Sequence, residues 1–134
     1  MMKMKYLAVG IGGIIGSLLR FLISSIHIGL PNHFLPFDTL IVNLVGSYFL
    51  GLLTGFYSRF PKLPSYLHLS IGTGLIGSFT TFSTFSTDIV QLVIEHHYVQ
   101  LFIYFVSSFI GGLALALVGI VNGSGKTWKK VSKT

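Results

Sequence analysis

The chain has 134 residues, of which 51% are apolar and only 9% charged, and its mean hydropathy is +0.79. Soluble domains carry about 25% charged residues, so this composition excludes an ordinary water-soluble fold and indicates an integral membrane protein, and the lack of cysteine excludes disulfides. The net charge is +6, and all basic residues but Arg20 lie outside the apolar runs, with no interleaved aromatic platform. We therefore expect contact with the lipid bilayer and no nucleic acid partner.

Four apolar stretches are each long enough for a helix that crosses a bilayer core, which takes about 20 residues. We therefore predict an all-α membrane protein in which residues 1–134 form a single domain of four transmembrane helices. The predicted spans are about 6–26, 39–58, 69–94 and 98–121, followed by a basic tail over 122–134.

The distribution of Lys and Arg predicts one orientation. Four spans place both termini and the second loop on the same side, which holds all the Lys and Arg outside the spans; the opposite loops hold none. The residues on that side are Lys3, Lys5, Arg59, Lys62, Lys126, Lys129, Lys130 and Lys133. Because such residues are retained in the cytoplasm, we predict a multi-pass cell-membrane protein with both termini cytoplasmic.

The first span contains a small-residue face and one charge. Gly12 and Gly16 are four residues apart, which lets another helix approach closely. Arg20 is expensive at membrane depth, and two roles for it remain open: reaching the membrane interface, or attracting anions in a vestibule.

In the second span, Thr39, Asn43 and Gly46 recur at steps of four and three, which places a hydroxyl and an amide on one stripe of the helix. The Asn43 amide has two N–H donors. It could form a structural hydrogen bond between helices or donate to a ligand.

The third span is the unusual one. Three glycines at Gly72, Gly74 and Gly77 are followed by a dense run of Ser and Thr, which weakens the helix where lipid cannot solvate bare backbone. We predict a break at mid-span whose freed carbonyls contact protein, water or an ion, and a hard monovalent cation suits such carbonyls.

Aromatic rings recur at every third residue after the glycines, at Phe79, Phe82 and Phe85, with Ser83 and Thr84 between them. Such a row usually packs against lipid or helices. Where hydroxyl groups lie between the rings, however, the ring edges can solvate a small anion without a fixed full charge.

In the fourth span Tyr104 and Ser108 are one turn apart and could reach the same interior.

Three motifs together resemble the Fluc (CrcB-type) fluoride channel family over the whole chain. They are Gly12-Gly13-x-x-Gly16-Ser17-x-x-Arg20, Thr39-Leu40-x-Val42-Asn43-x-x-Gly46 and Gly77-x-x-Thr80-Thr81-Phe82-Ser83-Thr84-Phe85. The resemblance implies a four-helix subunit in an antiparallel dimer with two pores, which passively export fluoride and relieve its toxicity. It also implies a structural, non-transported Na⁺ at the dimer axis, held by the backbone carbonyls of Gly77 and Thr80.

The same resemblance implies roles for single residues. Phe82 and Phe85 would be the anion-facing rings and Asn43 a pore donor. Thr39, Ser83 and Thr84 would form a polar track, Arg20 a vestibule charge, and Tyr104 and Ser108 possible supports.

The one-sided charge bears on the partner. Homodimers of this family insert one chain in both orientations, whereas heterodimers pair two chains of fixed orientation. This chain resembles the inside-termini half of a heterodimer with an oppositely oriented paralogue, and a homodimer is the alternative.

Two other functions are alternatives for such a chain. A small proton-coupled antiporter subunit needs a titratable carboxylate within the membrane, and Asp88 is the only acidic residue in a predicted span. A non-transporting membrane assembly subunit would use the glycine faces but not the Ser/Thr/Phe run. We expect a channel and not an enzyme.

Overall fold

The computed structural model describes residues 2–25 and 35–125, and every regular element within them is helical, which confirms the all-α prediction. Three helices are long: α1 (Met2–Ser25), α2 (Phe37–Arg59) and α6 (Tyr98–Ser124). Each contains a stretch long and apolar enough to cross a membrane.

The third predicted span is a broken helix, as the sequence predicts. It consists of α3 (Ser65–Leu69), a π-helical segment (Ser70–Ile76), the single turn α4 (Gly77–Phe79) and α5 (Phe82–Ile94). The interruption lies at Thr80 and Thr81, whose backbones are extended, with ψ of 158° and φ of −143° respectively. β-Branched threonines lose side-chain freedom in a helix, so the break falls where the helix is weakest.

Helical structure extends past two of the approximate boundaries predicted for the spans. The third span begins at Ser65 rather than near 69, because Pro64 ends the preceding loop with a φ of −60° and needs no N–H partner there. α6 continues to Ser124, within the stretch predicted as a basic tail over 122–134, and Gly123 packs on the backbone of α2. Residue 26 and residues 126–134 lie outside the described residues.

α2 and α6 pack backbone against backbone and run parallel to each other. A Cβ on Gly51 would overlap the Ala116 carbonyl, and one on Gly55 the Ile120 carbonyl; reciprocally, Gly119 faces the Tyr48 carbonyl and Gly123 that of Leu52. Small residues allow this approach where no hydrophobic effect drives helices together.

α1 packs on the third span in the same way, and this pair is also parallel. A Cβ on Gly12 would overlap the Ser70 carbonyl, and one on Gly16 the Leu75 carbonyl. The Ser70 hydroxyl also donates to the Ala8 carbonyl at 2.6 Å. These contacts confirm the predicted small-residue face of α1.

The two helix pairs bring four chain segments to one end of the molecule. They are the start of α1, the end of α2, the start of α3 and the end of α6. We call it the basic end, because Lys3, Lys5, Arg59 and Lys62 lie there.

Replacing Gly12 by Ala should destabilise the protein by about 1–3 kcal/mol, since α1 must move away from the Ser70 carbonyl to make room. Gly10→Ala on the same helix is the matched control, because no atom lies within 4 Å of its Cβ position. Thermal unfolding in detergent measures both. Equal midpoints for the two variants would contradict the close contact between α1 and the third span.

Candidate functional site at the broken helix

Side chains of two other helices hold the interrupted backbone. The Asn43 Nδ2 donates to the Thr81 carbonyl at 2.9 Å, and the Thr81 N–H donates to Asn43 Oδ1 at 2.8 Å. From α1, the Arg20 guanidinium donates to the Thr80 carbonyl at 3.3 Å. A bilayer core offers no water for these groups, so protein donors and acceptors have to satisfy them.

Thr81 is the centre of a small hydroxyl network that starts α5. Its Oγ1 accepts from the Thr84 N–H at 3.2 Å, which is the usual cap of a helix N-terminus. The hydroxyls of Ser83 and Thr84 lie 3.3 and 3.0 Å from the same oxygen. Thr81 was not among the predicted site residues, although a threonine directly before a helix start is a recognisable capping signal.

A groove of about 560 Å³ runs beside the break, between α2, the third span and α6. Six residues predicted for the site line it: Asn43, Gly77, Thr80, Phe82, Phe85 and Ser108. The ring centroids of Phe82 and Phe85 are 6.0 Å apart, and Phe105 lies 6.3 Å from Phe85. Phe82 is 80% exposed, so one wall of the groove is open in the single chain.

Ser108 supplies an unusual polar group to this groove. Its Oγ is buried and has no hydrogen-bond partner in the described part of the chain. A buried hydroxyl without a partner costs free energy, so this position suits a polar ligand.

A second, more polar cavity of about 270 Å³ lies between α1, α2 and the start of α5. The remaining members of the predicted polar set line it, namely Arg20, Thr39, Ser83 and Thr84. The guanidinium and the N-terminus of α5 both favour an anion here. Thr81 lines both cavities, so the two meet at the break.

Tyr104 lines neither cavity but packs against Phe85, which lines the groove. It is fully buried, its hydroxyl donates to Asp88 Oδ2 at 3.0 Å, and its ring lies 5.2 Å from that of Phe85. Tyr104 therefore supports the ring of Phe85, and the hydrogen bond to Asp88 holds Tyr104 itself in place.

The carbonyls of Gly77 and Thr80 fit the donor chemistry of a sodium ion. Gly77 is exposed at the groove wall, and the Thr80 carbonyl accepts one bond from Arg20, which leaves its second lone pair. Hard cations prefer such oxygens. Two carbonyls form an incomplete shell, however, so further oxygens would have to come from elsewhere. Within residues 2–25 and 35–125, no three acidic or His side chains form a metal site.

Apolar helices packed through glycine, with a broken span that presents polar groups to internal cavities, define an integral membrane protein of the transport class. Residues 7–120 match the family model described as "CrcB-like protein, Camphor Resistance (CrcB)". The chain belongs to the CrcB family, a family of ion channels and not of enzymes.

Relatives cover most of the chain. It is 42% identical over 121 residues to the "Fluoride-specific ion channel FluC 1" of Bacillus cereus, a match that covers 90% of this chain and 84% of the relative. Proteins of the same name match from Bacillus anthracis, with 39% identity over 92% of this chain and 90% of the relative. Another, from Staphylococcus aureus, has 38% identity over 92% and 82% respectively.

Replacing Asn43 by Leu should lower stability by about 1–3 kcal/mol, since both the N–H and the carbonyl of Thr81 lose their partner. Amide hydrogen exchange at Thr81 should accelerate with it. Ser47→Ala is the matched control, because Ser47 lies one turn further along α2 and donates only to the Asn43 main-chain carbonyl, at 2.8 Å. Unchanged exchange at Thr81 in Asn43→Leu would argue against the role assigned to the amide.

Proposed function

We propose that this chain is a subunit of a fluoride-selective channel. The observation that supports it best is the groove at the break, where aromatic rings, an amide and an unpartnered hydroxyl come together in a chain whose relatives are named fluoride-specific channels. Ring edges and neutral donors attract a small anion without a fixed charge, so the ion can leave again, as conduction requires.

The pathway would use the two cavities in turn. Fluoride would pass Phe82, Phe85 and Ser108 in the groove, and the smaller, more polar cavity with Arg20, Thr39, Ser83 and Thr84 would be the vestibule. Asn43 can serve both roles considered for it. One N–H of the Asn43 amide donates to the Thr81 carbonyl. The other N–H has no partner among the described residues and can donate to the anion.

We further propose an antiparallel dimer with two pores. The 80% exposure of Phe82 and the open wall of the groove support a second subunit that covers them. The same partner would supply the missing oxygens for a structural Na⁺ at the dimer axis, held by the Gly77 and Thr80 carbonyls of each subunit. Bound there, the ion would link the two interrupted spans, and it would not be transported.

The partner is proposed to be an oppositely oriented paralogue, with a homodimer as the alternative. Support comes from the charges, because Lys3, Lys5, Arg59 and Lys62 all lie at the basic end. Such a bias gives one orientation in the cell membrane, with both termini cytoplasmic.

The direction of flow would follow from the membrane potential. Inside-negative potentials drive an anion outward with about 2.3 kcal/mol per charge per 100 mV. A passive pore would therefore export fluoride and relieve its toxicity without another energy source.

Replacing Phe82 and Phe85 by Ile should abolish fluoride flux from reconstituted vesicles while leaving assembly intact, since the positive ring edges are lost and apolar bulk is kept. Phe102→Ile is the matched control, because Phe102 is a 68% exposed ring of α6 that lines neither cavity. Flux should be electrogenic and independent of a proton gradient. Unchanged flux in the double variant would remove the aromatic pathway, and proton-coupled flux would favour an antiporter.

The same vesicle assay separates the possible partners. Flux from this chain alone supports a homodimer, whereas flux only after co-expression with a paralogue supports a heterodimer. The absence of flux in both cases would leave an assembly subunit as the function.

Replacing Na⁺ by choline at constant ionic strength should lower the unfolding temperature of the assembled protein, because an ion bound only by the native state stabilises that state. The stabilisation is about 1.4 kcal/mol for each tenfold by which the ion concentration exceeds the dissociation constant. Potassium chloride controls for a general salt effect. Equal unfolding temperatures in the three salts would contradict the sodium site.

A further inference from the structure

Phe105 is an aromatic side chain of the groove that the proposed pathway does not use. It belongs to α6, and its ring centroid lies 6.3 Å from that of Phe85. The two rings assigned to the anion, Phe82 and Phe85, both belong to α5. Phe105 therefore adds an aromatic ring from a second helix to the wall of the groove.

The ring of Phe85 has three aromatic neighbours. Its centroid lies 6.0 Å from that of Phe82, 5.2 Å from that of Tyr104 and 6.3 Å from that of Phe105, with interplanar angles of 36°, 36° and 34°. All three pairs are far from the perpendicular arrangement, in which the electropositive edge of one ring points at the face of the other. These contacts therefore leave the edge of Phe85 available to an anion.

Two of the three neighbours are consecutive residues of α6. Side chains of consecutive residues in an α-helix point about 100° apart, so Tyr104 and Phe105 contact Phe85 from different directions. Tyr104 is fully buried and lines neither cavity, whereas Phe105 is 50% exposed and lines the groove. Phe105 is thus the α6 contact on the side where the anion would pass.

The helix that carries Phe105 is a firm support. α6 is continuous and packs closely on the backbone of α2, and beside the groove a Cβ on Gly112 would lie 3.4 Å from Ser47 Oγ. α5 begins only at the break. Contact with Phe105 therefore fixes the Phe85 ring relative to α2, the helix that carries Asn43.

We propose that Phe105 is a positioning residue that determines specificity: it holds the edge of the Phe85 ring toward the anion and thereby favours fluoride over chloride. The inference rests on the proposed channel function. The attraction between a ring edge and an anion grows as the two come closer, so a small ion gains more from an oriented edge than a large one. The Phe105 ring also occupies space beside Phe85 that the larger chloride would need.

The test compares fluoride and chloride flux from vesicles that contain the assembled protein. Phe105→Leu should lower the ratio of fluoride to chloride flux about 2- to 12-fold, the factor that corresponds to the loss of one aromatic pair. Phe105→Tyr keeps the ring and should retain the ratio. Phe102→Leu is the matched control, because it makes the same change three residues earlier on α6, at a ring that lines neither cavity. An unchanged ratio in Phe105→Leu would overturn the proposal, and so would an equal loss in Phe105→Tyr.

A second measurement does not depend on flux. Phe85→Leu and Phe105→Leu are made singly and together, and unfolding is followed in detergent. The double variant should lose less stability than the sum of the single losses, because either change alone already breaks the pair. Phe85→Leu combined with Phe102→Leu should show additive losses.

The two measurements separate this inference from the channel function on which it rests. Additive losses for Phe85 and Phe105 would overturn the positioning role even in a protein that conducts fluoride. Coupled losses in a protein that carries no fluoride, alone or with a paralogue, would instead remove the proposed function, and the specificity role with it.

Discussion

A peptide group inside hydrocarbon has no water to bond with, and this constraint governs the interrupted third span. Thr81 satisfies it by pairing its N–H and carbonyl with the two ends of one amide, that of Asn43. With these bonds made, the helix can stop at Thr80 and start again at Phe82. Both cavities, the aromatic wall and the N-terminus of α5 exist because the backbone can break there.

Glycine packing brings that amide within reach. Gly46 lies one turn after Asn43 on α2, and a Cβ there would overlap the Thr80 methyl group. The absence of a side chain therefore lets the break settle against α2 at hydrogen-bonding distance. The same device brings α1 close enough for Arg20 to contact the Thr80 carbonyl. Close packing and polar chemistry are thus parts of one arrangement.

Local features were predictable and tertiary pairings were not. The apolar runs, the glycine face of α1 and the Ser/Thr break depend on neighbouring residues, so sequence alone located them. The partner of Asn43 remained open between a helix contact and a ligand, because it depends on how α2 meets the third span. The separation of Phe82 from Ser83, which line different cavities, follows from α5 starting with Thr81 as its cap, a residue that sequence analysis did not single out.

The π-helical segment at Ser70–Ile76 has a consequence for comparing this chain with others. Its wide turns hold more residues than the 3.6 of an α-helix, so every side chain after it is rotated around the axis relative to an ideal helical wheel. A wheel drawn through the whole span would assign Phe79, which is buried, and Thr80 to incorrect sides. An insertion or deletion of a single residue in this segment would therefore turn the threonines away from Asn43, so the position of the break depends on the length of the segment.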